Sequence, residues 1–297
     1  MIQAIISPAK QMEIHRDAFA PRGIPPFPQQ AARIIQELQA VERDDGSAGL
    51  KRLWAVSDKL LDENLARLHA FRPIANASAL EDAETARRVG PAIFSYVGIQ
   101  YRSMAPQVMD EAALVWLQEH LWVLSALYGC ARPFDAVQPY RLEMGAKLAV
   151  DDAKNLYAFW GDALARVICG DPCATRPSAH REAGDAASPE VPPAGDPDRG
   201  STCIVNLASN EYSKAVLPHL DSATPVVTCV FSSSLRNGRP VQKSTESKAA
   251  RGTMVRWMAE MGAEGPDDLK RFDMGFRFAP ELSDESGPRQ TFVFMKR

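Results

Sequence analysis

The sequence predicts an α/β protein of the mixed α+β kind, a single large domain over residues 1–297 around a central mixed sheet, and three observations predict it. Short apolar or β-branched runs alternate with segments of helical period along the whole chain. At 297 residues and 45% hydrophobic content the chain can bury a large core. No compositionally distinct linker separates two halves that each carry a full set of motifs.

The elements follow in order. Ile2 to Ile6 is an apolar run stopped by Ser7-Pro8, which predicts a buried strand that delivers Lys10 at its carboxyl end. After the turn at Pro25 to Pro28, Ala32, Ile35, Leu38 and Val41 recur at helical spacing and predict a helix over 29–43. A second helix is expected over 50–56. A third, over 58–71, starts after Ser57 as cap and has Leu60, Leu61, Leu65 and Leu68 on its apolar side. Pro106 near a first turn predicts a helix over 106–120 with Val108, Ala112, Val115 and Leu117 inside. Leu121 to Tyr128 reads as a buried strand and 155–169 as one helix beginning with Tyr157, Phe159 and Trp160. Thr202 to Leu207 and Val226 to Phe231 are β-branched strands, 244–261 is a basic helix, and 276–278 with 291–295 close the sheet.

Residues 170–200 have no core-forming period, and their six prolines forbid a continuous helix or central strand. They are expected to form a Pro/Ala/Asp-rich surface loop, disordered, whose deletion over 171–199 leaves the melt nearly unchanged, because loop length enters closure entropy only logarithmically. The first residues lack a basic leader, a small-residue cleavage site and the length of a membrane span, so a cytoplasmic protein with no membrane partner is expected. Five cysteines without framework spacing read as reduced, mostly buried thiols. Cys169 and Cys173 have only His180 nearby as a further metal ligand, so neither metal nor cofactor is expected. No thiol constellation suits a cysteine-based peroxidase.

The chemistry gathers in a few polar strings. In Gln138-Pro139-Tyr140-Arg141-Leu142-Glu143-Met144-Gly145 an extended backbone turns Tyr140 and Leu142 one way and Arg141 and Glu143 the other, standing a cation beside an anion. That pair either fixes the turn or contacts a ligand. Lys10, behind Ser7 and Pro8, can hold an anion or act as an amine. Asn206 to Lys214 passes from strand to helix with Ser209 or Asn210 as cap; Glu211 satisfies that helix end, or joins Asn206, Ser209, Tyr212 and Lys214 around phosphate and hydroxyls. Trp160, Gly161 and Asp162 offer a ring for stacking on a planar ligand, or a tryptophan for the core. The net charge is −3, yet Arg236, Arg239, Lys243, Lys248, Arg251 and Arg256 face one acid, Glu246, which makes either a solvated helix face or a phosphate-neutralising patch. Because each string sits at a strand end or helix start, SPAK, QPYRLEMG, FWGD, NLASNEY and KAARG are expected to converge on one cleft.

SPAK, SDKL, LSALYGCARPFD, QPYRLEMG, LYAFWGD, VNLASNEYSKAV and KAARG, in this order, resemble the YaaA family of peroxide-stress-associated bacterial proteins from Ile5 to about Phe294. The resemblance implies a fold of the family's own. It also implies a positive cleft lined by Lys248 and Arg251, and DNA binding through a helix-hairpin-helix-like element near Lys59, with Lys243 and Arg256 adding charge. This chain departs from the family at Gly98-Ile99-Gln100-Tyr101, where an acidic residue is usual, and at Lys248-Ala249, where a lysine pair is usual. Leu60 to Leu65 has no glycine for a tight turn, and Asp62 and Glu63 repel phosphate. Two functions result. One is a monomeric stress protein that binds DNA or a nucleotide-like ligand. The other is an enzyme on a nucleotide or nucleobase-like small molecule, a lyase, hydrolase or transferase, with Lys10 and Glu143 or Glu211 as catalytic groups and Arg141 and Arg251 on phosphate.

Overall fold

A computed structural model describes residues 1–14, 19–171 and 202–297. Nine strands carry the architecture: β1 (Ile2–Ile6), β2 (Leu121–Ser125), β3 (Gly129–Ala131), β4 (Cys203–Leu207), β5 (Val226–Ser232), β6 (Ser234–Arg236), β7 (Arg239–Val241), β8 (Phe276–Phe278) and β9 (Arg289–Lys296). Seven of them form one sheet in the order β8-β9-β5-β4-β1-β2-β3. The five inner strands run parallel, and antiparallel β8 and β3 close the two edges. Every residue of β1, β2 and β4 is buried, as continuous apolar runs require when both sheet faces are covered. Gln3, the polar exception in β1, donates to the Glu119 carbonyl at 3.0 Å and accepts from Trp122 Nε1 at 2.9 Å. One apolar cluster extends from Ile2 to Phe294, so a single core serves the mixed α/β fold predicted from the sequence.

The helices that matter for the site are α1 (Pro28–Trp54), α2 (Asp58–Ala70), α3 (Ile99–Met104), α4 (Glu111–His120), α5 (Leu156–Trp160), α6 (Ala163–Ile168), α7 (Asn210–Ser213) and α8 (Ser244–Met261). The break expected between 43 and 50 falls inside α1 at Gly46, whose φ of 66° no helical residue adopts. The following segment stops at Trp54, short of Val56, because Ala55 takes the left-handed conformation. Ser57 stands at the start of α2, but its side chain makes no capping bond, and Leu60 is 40% exposed, not part of the apolar side.

Two helix expectations are corrected. Pro106–Val108 is a separate 3₁₀ turn, and α4 starts only after Asp110, whose carboxylate accepts from Ala113 N at 2.8 Å. The later start rotates the buried face to Ala113, Leu114, Trp116 and Leu117; Val108, Ala112 and Val115 are exposed. The single helix expected over 155–169 is divided into α5 and α6 by Gly161, at φ 47° and ψ −129°. The surface loop expected over 170–200, with its deletion, lies outside the described residues apart from Gly170 and Asp171.

Asp135 supplies a pH-dependent contribution to this core. It is buried, and its Oδ2 accepts from Arg132 N at 2.7 Å, but burial raises its carboxyl from 3.8 to about 6. The folded state therefore holds the proton more tightly than the unfolded chain. The stability this confers is present below about pH 4 and lost as pH rises through about 6, on the order of 3 kcal/mol. Asp135→Asn should remove that slope: urea unfolding of parent and variant at acid and neutral pH should favour the variant progressively as pH rises. A constant difference would mean that Asp135 binds its proton equally in the folded and unfolded states.

Candidate functional site

Because β1, β2, β4 and β5 run parallel, their carboxyl ends share one edge of the sheet, where α/β proteins place their ligand sites. A cleft of about 610 Å³ opens there. Ser7 to Lys10 enter from the end of β1, Ser209 to Tyr212 follow β4, and Tyr140 to Glu143 form another wall. The face of α2 with Leu60, Glu63, Asn64 and Arg67 closes one side, and Gly98 to Arg102 with Lys248 and Arg251 of α8 close the other.

The floor is a hydrogen-bonded seam. Ser7 Oγ donates to Ser209 Oγ at 3.1 Å and accepts from Ser209 N at 2.8 Å, joining the ends of β1 and β4. Tyr101 Oη donates to the Ser7 carbonyl at 3.0 Å. Tyr140 is buried, with its hydroxyl 2.7 Å from Ser125 Oγ and 3.3 Å from Tyr96 Oη. Burial raises the phenols of Tyr140 and Tyr212, so both are neutral wall groups near pH 7. At 140–143 Tyr140 and Leu142 are buried, Arg141 and Glu143 are half-buried and paired with each other, and all four line the cleft. Lys10 Nζ lies 2.9 Å and Arg141 Nη2 2.6 Å from the same Glu143 Oε1, one carboxylate shared by two cations. Glu211 Oε1 accepts from Gly145 N at 2.9 Å, tying the QPYRLEMG segment to the start of α7.

Arg251 differs from these paired groups. Among the described residues no carboxylate pairs with it, and its Nε is buried without a hydrogen-bond partner. Burial lowers its guanidinium from the usual value, the mark of a cation removed from water without a counterion. Arg141 Nε is likewise buried and unbonded, and Lys248 and Arg102, on the same walls, have no carboxylate partner among the described residues. Gly252 explains the seating of Arg251: a Cβ there would lie 1.9 Å from the Gln100 carbonyl oxygen, so α8 and α3 touch backbone to backbone.

The structure thus brings together Ser7, Lys10, Tyr140, Arg141, Glu143, Ser209, Glu211, Tyr212, Lys248 and Arg251. It places Trp160 in the core, where Nε1 donates to the Ala126 carbonyl at 3.1 Å and the ring packs on Phe27; FWGD therefore does not reach the cleft, and Gly161 and Asp162 divide α5 from α6 instead. Asn206 is buried beneath the floor, its Oδ1 accepting from Ala208 N, and Lys214 is exposed at the end of α7, away from the cleft. Lys243 approaches Glu246 at 4.0 Å and Arg256 pairs with Glu260 at 2.7 Å, so part of the basic segment is neutralised outside the cleft. The tight turn between α1 and α2 is Ala55 to Ser57, not the 60–65 stretch, and exposed Lys59 follows it; Asp62 and Glu63 stand on α2.

Arg67 and Arg102 were missed by sequence reading. Arg67 Nη2 donates to the Met12 carbonyl at 3.0 Å and reads in sequence as an ordinary helical pair with Glu63. Arg102 had a signal, since it directly follows the Gly98 to Tyr101 string. Ile99, at the position where an acid is usual in the family, lines the cleft, and buried Gln100 beside it does too. Cys130, Cys203 and Cys229 are buried and Cys169 exposed, all free thiols, and burial raises each above its usual value. Cys173 and His180 lie outside the described residues, and among those described no three His, Cys, Asp or Glu side chains group as metal ligands.

Fold and site together define an α/β protein with a polar cleft at the carboxyl edge of a parallel sheet, lined by Arg67 and Arg141, each paired with a glutamate, and by Arg102 and Arg251, which have no carboxylate partner among the described residues. The family described as peroxide stress protein YaaA matches residues 2–282, and this chain belongs to it. Among its relatives, a UPF0246 protein of Limosilactobacillus fermentum is 38% identical over 297 residues, covering 99% of this chain and 100% of its own. One from Lactiplantibacillus plantarum is 37% identical over 272 residues (92% and 91% of the two chains), and one from Agathobacter rectalis 34% identical over 286 residues (96% of each). No described helix is long and apolar enough to cross a membrane.

Proposed function

We propose that this protein serves the peroxide stress response as a cytoplasmic monomer that binds a nucleotide-like anion in the cleft, with the phosphate on Arg251, Lys248 and Arg102. The observation that carries this reading is the buried, unbonded Nε of Arg251 in one cleft with two cations that also lack carboxylate partners among the described residues. A desolvated guanidinium without a counterion costs the fold several kcal/mol, roughly, unless an anion arrives to offset it. The cleft's volume falls within the range of small-molecule sites. Buried Tyr212 and the polar groups of Asn64 and Gln100 supply surface for a base or sugar.

The phosphate belongs either to a free nucleotide or to a nucleotide within DNA, and salt separates the two. A single anion held in a cleft should lose little affinity between low and physiological salt, whereas a strand neutralised at several phosphates should lose it steeply. Titration of the protein with a mononucleotide, a short single strand and a short duplex across a salt series reads the difference directly. Failure to bind any of the three would sink the proposal.

The ion-pair cluster favours a second reading, catalysis on the bound nucleotide. Glu143, held between Lys10 and Arg141, becomes available as a base only when a ligand anion draws those cations away. Glu211, fixed by the Gly145 amide, is the other carboxylate in reach. Product analysis of a mononucleotide incubated with Glu143→Gln, Glu211→Gln and the parent checks this: conversion by the parent and not by a variant supports catalysis, and no conversion by the parent removes it.

A further inference from the structure

β5 does not end at the sheet. After Ser233 the chain makes a two-stranded hairpin, β6 and β7, around Asn237-Gly238 and then enters α8. Asn237 and Gly238 both take positive φ, 52° and 72°, the conformation of the two-residue turn whose twist matches a β-ribbon. Ser232 clasps its base, its hydroxyl lying 2.7 Å from both the Ser234 and Val241 carbonyls. The hairpin is therefore a defined projection, and all of β6 is exposed.

Its tip is chemically unusual. Arg236 and Arg239 are direct cross-strand partners, with Leu235 opposite Pro240 one step back. Like charges directly opposite each other destabilise a ladder. Nothing here relieves the repulsion: 233–243 contains no acid, and among the described residues neither arginine has a carboxylate partner. Leu235, 49% exposed, adds an apolar side chain to the same ribbon. Because β5 runs parallel to β4 and β1, the hairpin leaves from the edge of the sheet where the cleft opens, and α8 leads from it to Lys248 and Arg251.

We infer that this hairpin is a phosphate-gripping arm for a polynucleotide whose nucleotide occupies the cleft. The inference rests on the cleft reading above and deepens it, because a free mononucleotide gives the arm nothing to hold. Arg236 and Arg239 each neutralise a backbone phosphate of the strand leaving the cleft, relieving their mutual repulsion on binding, and Leu235 offers contact to sugar or base.

The test compares the parent with the double variant Arg236→Gln, Arg239→Gln, titrated with a labelled single strand, its duplex and AMP over a potassium chloride series. Thermal melting accompanies it to establish folding, with no loss expected because a like-charge pair is removed. The expected result is oligonucleotide affinity reduced at least about tenfold at low salt. The log–log salt slope should flatten by roughly 1.4 for the single strand or 1.8 for the duplex, and AMP affinity should be unchanged. If the folded variant binds oligonucleotide with the parent's affinity and slope, the arm is overturned. It also falls, with the cleft reading intact, if the parent binds AMP but the oligonucleotide no more tightly. Equal loss for AMP and oligonucleotide would place the two arginines' effect in the cleft itself and overturn the arm as well. Binding of neither by the parent overturns both readings.

Discussion

Replacing Arg251 by Gln is expected to weaken nucleotide binding by about a hundredfold while leaving the protein folded. The side chain is the cleft's one guanidinium with neither a carboxylate partner nor a bond at its buried Nε among the described residues, though the residue as a whole is half-buried; Arg141, also unbonded at Nε, has Glu143. In the ligand-free protein the cation is held at a cost, so removing it should hold or slightly raise the melting temperature. In the complex the same removal deprives a buried phosphate of its charge-assisted bond, worth about 3 kcal/mol or two decades in Kd. The opposite signs make the experiment informative, since a merely structural arginine would lose stability and binding together. Calorimetric titration of AMP against parent and variant, with melts of both, reads the two effects separately. Unchanged affinity in the variant would remove Arg251 from the binding machinery.

Much of this arrangement was legible in the residues. β1 and β4 were readable because a strand buried on both faces is a continuous apolar run, and the Ser7-Pro8 stop fixed where Lys10 leaves the sheet. The alternation through Tyr140, Arg141, Leu142 and Glu143 placed a cation beside an anion correctly, because side-chain period is a property of the backbone alone. What misled was local aromatic and amide chemistry. Trp160 was open to a ligand or a core reading, and only the carbonyl of Ala126, distant in sequence, decides for the core. Asn206 looked like a ligand group but satisfies the backbone at the end of its own strand. Arg67 was invisible for the opposite reason: an arginine on an amphipathic helix looks the same whether it faces solvent or a cleft, and tertiary packing alone decides; Arg102 had only its place after the Gly98 to Tyr101 string to mark it. The phase of α4 failed on a competition between two start signals, Pro106 and Asp110, in which the carboxylate cap prevailed.

Gly252→Ala should be the most damaging conservative change in the protein, and the sign of its effect is the test. At an ordinary helical position this substitution stabilises by about 1 kcal/mol, because alanine loses less backbone entropy on folding. Here a Cβ would stand 1.9 Å from Gln100 O, 2.9 Å from Gln100 C and 3.1 Å from Met104 N, all backbone atoms of α3 that no rotamer change can move. The two helices must separate, and overpacking of this kind costs about 3 kcal/mol, which leaves a net loss of about 2 kcal/mol after the propensity gain. The melting temperature should fall by roughly 5 °C. Function should suffer more than stability, because α3 carries Gln100 and Arg102 and α8 carries Lys248 and Arg251, so the displacement widens the cleft between the groups proposed to hold phosphate. Even well below the new melting temperature, AMP affinity should drop at least about tenfold, since positioning errors near one ångström are enough to break charge-assisted bonds. A variant that melts at or above the parent's temperature would show that α3 and α8 do not meet as closely as the glycine implies. One that melts lower yet binds AMP normally would show that the helix contact serves the fold and not the cleft.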